Sequence, residues 1–124
     1  MYNKTIVLGR IGSDGADLRY TPQGKAVASF SLAANSGFGD YKTTIWFRCT
    51  TWGKTAEAAA EYLTKGAAIL VDGELKPDTD TGNPRIWQDG SGNAKASFEL
   101  TVREWKFAGS KSKSKEEAED EIPF

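Results

Sequence analysis

The stretch Thr43-Thr-Ile-Trp-Phe-Arg-Cys-Thr-Thr-Trp-Gly-Lys54 contains the strongest strand signal in the chain. Its β-branched and aromatic residues suit a pleated, half-buried surface, so a strand is expected from Thr43 to Trp52. Successive side chains of a strand point to opposite faces. One face then carries Ile45, Phe47, Cys49 and Thr51, a set fit for a barrel interior. The other carries Trp46, Arg48, Thr50 and Trp52. Two tryptophans on a wet face cost stability unless something flat covers them. Either an anionic ligand with stacking rings does so, or they pack beneath another segment or at a subunit contact.

Working outward, Ala26 to Ala33 alternates Val27 and Ser29 against Ala28, Phe30 and Leu32, as a strand does. Thr5 to Ile11 is a β-rich run closed by Gly12, followed by the turn-prone Gly12-Ser-Asp-Gly-Ala-Asp17. Downstream, Lys54 to Lys65 is rich in helix formers and ends at Gly66, a good C-terminal stop. Ala67 to Leu75 is a further strand. Lys76 to Ala94, full of Pro, Asp, Gly and Asn, reads as a long loop or hairpin arm around Pro84 to Gln88. Ala96 to Phe107 is the last strand, with Phe98, Leu100 and Val102 on one face. The segment after Ala108 is too polar to bury apolar area and is expected to be disordered. Three strands, a helix and two strands give an all-β fold: a five-stranded OB-fold barrel. Its one helix lies between strands 3 and 4, and its long arm between strands 4 and 5. An immunoglobulin-like sandwich wants about seven strands and no such helix.

The 124 residues suit one domain, and the net charge of −1 averages two unlike parts. Residues 116–124 hold five acids and no base, whereas the rest holds 16 bases and 12 acids, a net of +4. A basic body with an acidic tail points to an anionic partner for the body. The expected layout is a barrel domain over 1–108, a short flexible linker over 109–115 and an acidic tail over 116–124. One cysteine excludes an intramolecular disulfide, and the lack of histidine leaves neither a zinc site nor a Cys-His nucleophile system. Cys49 reads as a small buried hydrophobe. Asp78-Thr-Asp-Thr-Gly82 misplaces the glycine and lacks the bidentate Glu of a calcium loop, so it reads as a turn. The N-terminus has neither a signal peptide nor a membrane span, so a cytoplasmic protein without metal, cofactor or enzymatic activity is expected.

Nucleobases stack on aromatic rings and a nearby cation neutralises phosphate. Trp87 beside Arg85 in the arm, and Phe38 and Tyr41 in the Gly-rich loop, could extend the platform of Trp46 and Trp52. Lys4, Arg10, Arg19, Lys54 and Lys65 are candidate phosphate contacts. Trp105, late in the last strand beside Lys106 and Phe107, reads as packing or interface.

These features together resemble the bacterial single-stranded DNA-binding proteins. The likeness runs through Asn3 to Gly12, Leu18-Arg-Tyr-Thr-Pro-Gln-Gly24, Ala26-Val-Ala28, Trp46-Phe-Arg48 and Trp52-Gly-Lys54. It continues through Ala56-Glu57, Glu61 to Gly66 and Val71-Asp-Gly-Glu-Leu75, and closes with Asp120-Glu-Ile-Pro-Phe124. The resemblance implies a homotetramer of OB folds that coats single-stranded DNA without strong sequence preference. It implies stacking on Trp46, Trp52, Trp87 and either Phe38 or Tyr41. Basic contacts are implied at Lys4, Arg19, Arg48, Lys54, Lys65 and Arg85. The tip Asp120, Glu121, Ile122, Pro123 and Phe124 is implied to dock replication, recombination and repair proteins, and the protein to work at the nucleoid. Gly109 to Lys115 stands where the family commonly carries a long Gly- or Gln-rich linker, and about 12 flexible residues reach roughly 20 Å. The alternative is an OB-fold assembly or replication-restart module whose aromatic face binds protein.

Overall fold

The computed structural model describes residues 1–109 and contains five long strands, one α-helix and a short hairpin. In chain order these are β1 (Thr5–Tyr20), β2 (Ala26–Ser36), β3 (Thr43–Trp52), α1 (Lys54–Tyr62), β4 (Ala68–Leu75), β5 (Ile86–Gln88), β6 (Ala94–Ala96) and β7 (Phe98–Phe107). β1, β2, β3, β7 and β4 close into a barrel in that order, and β5 and β6 form a separate two-stranded sheet. α1 lies between β3 and β4, and the β5–β6 hairpin is the arm between β4 and β7, so the expected OB barrel is present. Asp120 to Phe124 and nearly all of the expected linker lie outside the described residues.

β3 alternates as its sequence predicts: Cys49 and Thr51 are buried, Ile45 and Phe47 half-buried, and Trp46, Arg48 and Trp52 exposed. β2 places Ala28, Phe30 and Leu32 in the same interior, beside Val7, Ile11, Ile69, Val71, Leu100 and Val102. Burial of these aliphatic side chains is the main stabilising term for a core of this size. Leu63, Ala56 and Ala59 from the helix region join the same core cluster. Thr51, the only buried polar residue among those described, donates its hydroxyl to the Val102 carbonyl at 3.1 Å and ties β3 to β7.

The last strand starts at Phe98 rather than Ala96 and β2 runs on to Ser36, and three further details differ from expectation. β1 does not stop at Ile11 but runs to Tyr20 through a bulge, where five steps from Ile11 to Ala16 face two from Leu32 to Phe30. The first half of β1 pairs with β4 and the second with β2, so the strand must bend between its two neighbours to close the barrel. Gly15 supplies the left-handed conformation, with φ 65°, inside that bend. The helix ends at Tyr62, short of the expected Lys65, because Leu63 adopts extended backbone and buries its side chain in the core. The following turn then bonds to β1: the Gly66 amide donates to the Ile11 carbonyl and the Ile11 amide to the Ala67 carbonyl, both at 2.9 Å. Finally, Leu100 and Val102 are buried but Phe98, on the same face, is exposed at the barrel rim. There its ring lies 5.9 Å from that of Phe47.

Candidate nucleic-acid interface

Cross-strand register decides which side chains share the outer face. In antiparallel β2–β3, Val27 opposes Trp52, Ser29 opposes Thr50, Ser31 opposes Arg48 and Ala33 opposes Trp46. The tryptophans thus stand beside small neighbours, which leaves their rings uncovered: Trp46 is 54% and Trp52 41% exposed. Six residue steps along the strand, or roughly 20 Å, separate them. Gly12 at the β1 bend makes room for the first ring. A Cβ there would lie 3.3 Å from both the Trp46 Cζ3 and the Ser31 Cβ. Trp46, Arg48, Ser29 and Ser31 line a groove together with Gly12 to Gly15 and Asp17.

Arg48 stands between the two rings and makes no ion pair among the described residues. Across the parallel β3–β7 pairing its register neighbour is Glu99. Lys54, the first residue of α1, follows Trp52 by two positions and is exposed. Lys65 is exposed in the turn that is hydrogen-bonded to β1. Neither lysine is ion-paired among the described residues. Arg19 is in register with Val27 and hence in line with Trp52, but its Nε lies 3.0 Å from the Asp17 carboxylate. Lys4 is placed elsewhere: it precedes β1 at the end far from Arg19 and pairs with Asp72 of β4 at 3.2 Å. Arg10 donates to the Gly66 carbonyl at 2.9 Å and so braces the helix exit.

The remaining candidate aromatics lie on the two excursions from the barrel. Phe38 and Tyr41 bracket a single 3-10 turn between β2 and β3, and at 83% and 86% exposed they are equivalent candidates. Trp87 is on β5, opposite Lys95 of β6, and its Nε1 donates to the Ser97 hydroxyl at 3.1 Å. Ser97 also lines a groove shared with Trp46, Phe47 and Arg48, which places the root of the arm beside the β3 aromatic face. Arg85 pairs with Glu99 at 3.1 Å. Trp105 is packing: it is half-buried, donates to the Thr55 carbonyl at 3.2 Å and meets the Phe107 ring edge-on at 5.4 Å.

Three residues at this face are absent from the sequence reading. Lys25 lies 5.5 Å from the Trp52 ring centroid, a cation–π arrangement that adds positive charge beside the ring. Its place at the start of β2, whose register runs against the end of β3, is the signal that could have found it. Ser97 and Glu99 matter through the arm: the parallel β3–β7 register sets Glu99 opposite Arg48, and Ser97 lines a groove with Arg48. Cys49 faces the interior, and burial pushes its thiol up to about 12, so it belongs to the core. No group of three His, Cys, Asp or Glu among the described residues could hold a metal ion. No described helix is long and apolar enough to cross a membrane. A family model, that of the single-strand binding protein family, matches residues 2–108.

Proposed function

Because the chain belongs to the single-strand binding protein family, we propose that it coats and protects single-stranded DNA without sequence preference during replication, recombination and repair. Bases stack on Trp46, Trp52, Trp87 and one of Phe38 and Tyr41. Arg48, Lys54 and Lys65, which have no ion-pair partner among the described residues, neutralise phosphates first. Arg19 and Lys4 contribute by exchanging Asp17 and Asp72 for phosphate. No bond is made or broken in this function, so the protein is not an enzyme.

The observation that carries this reading is the outward β3 row: two uncovered indoles flanking a guanidinium with no ion pair among the described residues, opposite small β2 residues. Stacking is worth roughly 1–3 kcal/mol per base and tolerates any base, because every base has a π-face. Titration with poly(dT) at low salt should quench tryptophan fluorescence, and the affinity should fall as salt rises and released counterions lose their advantage. Folded protein whose fluorescence does not respond to poly(dT) at low salt would sink the reading.

The layout is a DNA-binding domain over 1–108, a linker over 109–115 and a partner-docking tail over 116–124. The tip Asp120 to Phe124 recruits replication and repair proteins by offering an apolar Ile-Pro-Phe ending behind acidic side chains to an apolar pocket with a basic rim. The protein works in the cytoplasm, at the nucleoid, as a homotetramer. Ile6 and Leu70, exposed on the outer β1–β4 face where Leu70 is in register with Leu8, are apolar surface suited to a subunit contact. Light scattering with dT oligomers of increasing length reads the assembly size and the site size together.

A further inference from the structure

Arg85 and Trp87 are two residues apart, and so are their partners, Glu99 in β7 and Ser97 in the link from β6 to β7. The pairs form two rungs between the arm and the barrel: Arg85 Nη1 to Glu99 Oε2 at 3.1 Å, and Trp87 Nε1 to Ser97 Oγ at 3.1 Å. The Glu99 side chain is only 10% exposed, so its charge is nearly desolvated and needs a partner. Arg85 itself is half-exposed, so the pair is open on one side, and its loss leaves Glu99 with a carboxylate that water reaches poorly. Glu99 is also the register neighbour of Arg48. A nearly buried carboxylate between two arginines would oppose phosphate binding if both arginines were there to hold it.

We propose that Arg85 is a positioning residue rather than a phosphate ligand. Its ion pair with Glu99 latches the β5–β6 arm onto β7 and presents the Trp87 ring beside the groove that Trp46 lines. The inference rests on the reading of this face as a single-stranded DNA site, and it assigns Glu99 and Ser97 to that site as the barrel half of the latch.

The two roles for Arg85 give Glu99→Gln opposite signs. A phosphate-binding Arg85 would be freed by loss of the carboxylate, so affinity for a dT oligomer would rise. A latch would be broken, so affinity should fall about fivefold or more, the low end of what one stacked base contributes. Arg85→Gln should show the same loss. In a Trp87→Ala background neither substitution should weaken binding further, since residues acting through one group are not additive. In the free protein, acrylamide should reach the tryptophans more readily in Glu99→Gln than in wild type, with circular dichroism unchanged. Tighter binding by Glu99→Gln, losses undiminished without Trp87, or acrylamide access equal to wild type would each overturn the proposal. Wild-type protein that binds no oligomer would overturn the DNA reading instead, while the acrylamide comparison, which uses no DNA, still decides the latch.

Discussion

Cys49 and Thr51 point into the barrel and Trp46 and Trp52 away from it, so neighbouring positions of one strand answer to different forces. Thr51→Val keeps the shape but removes the hydroxyl bonded to the Val102 carbonyl in a buried setting. Loss of that bond should cost about 1–2 kcal/mol, read as a lower urea midpoint with unchanged slope. Trp46→Ala removes a half-exposed ring, so stability should change little while affinity for a dT oligomer falls by about 1–3 kcal/mol. A thermal melt beside a fluorescence titration separates the two effects. Cys49 bears on pH. Burial raises its thiol from 9.0 to about 12, so the folded state favours the neutral form. Its contribution is therefore complete below 9.0 and is lost as pH climbs from there towards about 12. At pH 8 a disulfide reagent should leave the folded protein unmodified and label Cys49 once urea unfolds it. Labelling at the same rate in both states would contradict a sealed interior.

The arm shows what holds an element that has little core of its own. β5 and β6 are each three residues long, and every residue in them is exposed. Their turn is organised by Asp89, whose carboxylate accepts from the Asn93 amide at 3.0 Å and the Ser91 amide at 2.9 Å. These amides, Asn93 foremost, hold the Asp89 carboxyl below its usual range. A lowered value means that the support is present above the ordinary carboxylate pKa and is lost as pH falls through the folded one. Asp89→Ala should speed amide exchange at Gln88 and Lys95 at neutral pH while the barrel strands stay protected. Equal exchange in both proteins would show that the tip is held by its backbone alone. Elements also differ in how far their sequences betray them. β2 and β3 could be read from alternation, because each has one wet face and one dry face along most of its length. The Trp46–Arg48–Trp52 row followed from the same period of two. β1 could not be read through Gly12 to Asp17, because those residues look like a turn in isolation and become strand only by serving two neighbours in turn. The helix end was hidden for a related reason: Thr64 and Lys65 are helix-compatible, but the barrel needs Leu63 inside and Gly66 against Ile11. The Arg85–Glu99 ion pair depends on how the arm folds back onto β7, which no local pattern encodes.

At the scale of the whole molecule the charge is unevenly divided along the chain. Residues 1–115 carry a net of +4, and the last nine carry five acids. A tethered acidic segment competes with DNA phosphate for the same cations, at an effective concentration fixed by a short linker. Salt weakens that competition, because exposed charges separated by more than about 10 Å are largely screened at 0.1 M. Deleting Asp120 to Phe124 removes two of the five acids together with the apolar tip. The truncated protein should bind a dT oligomer as tightly as the full chain or more tightly, with the largest gain at low salt. On a column, the full chain should capture replication and repair proteins and the truncated one should not. Both halves follow from one assignment, in which the tip is a ligand for other proteins and a competitor for this one's own basic face. Weaker DNA binding after truncation would place the tail within the DNA site, and partner capture that survives truncation would place docking on the barrel.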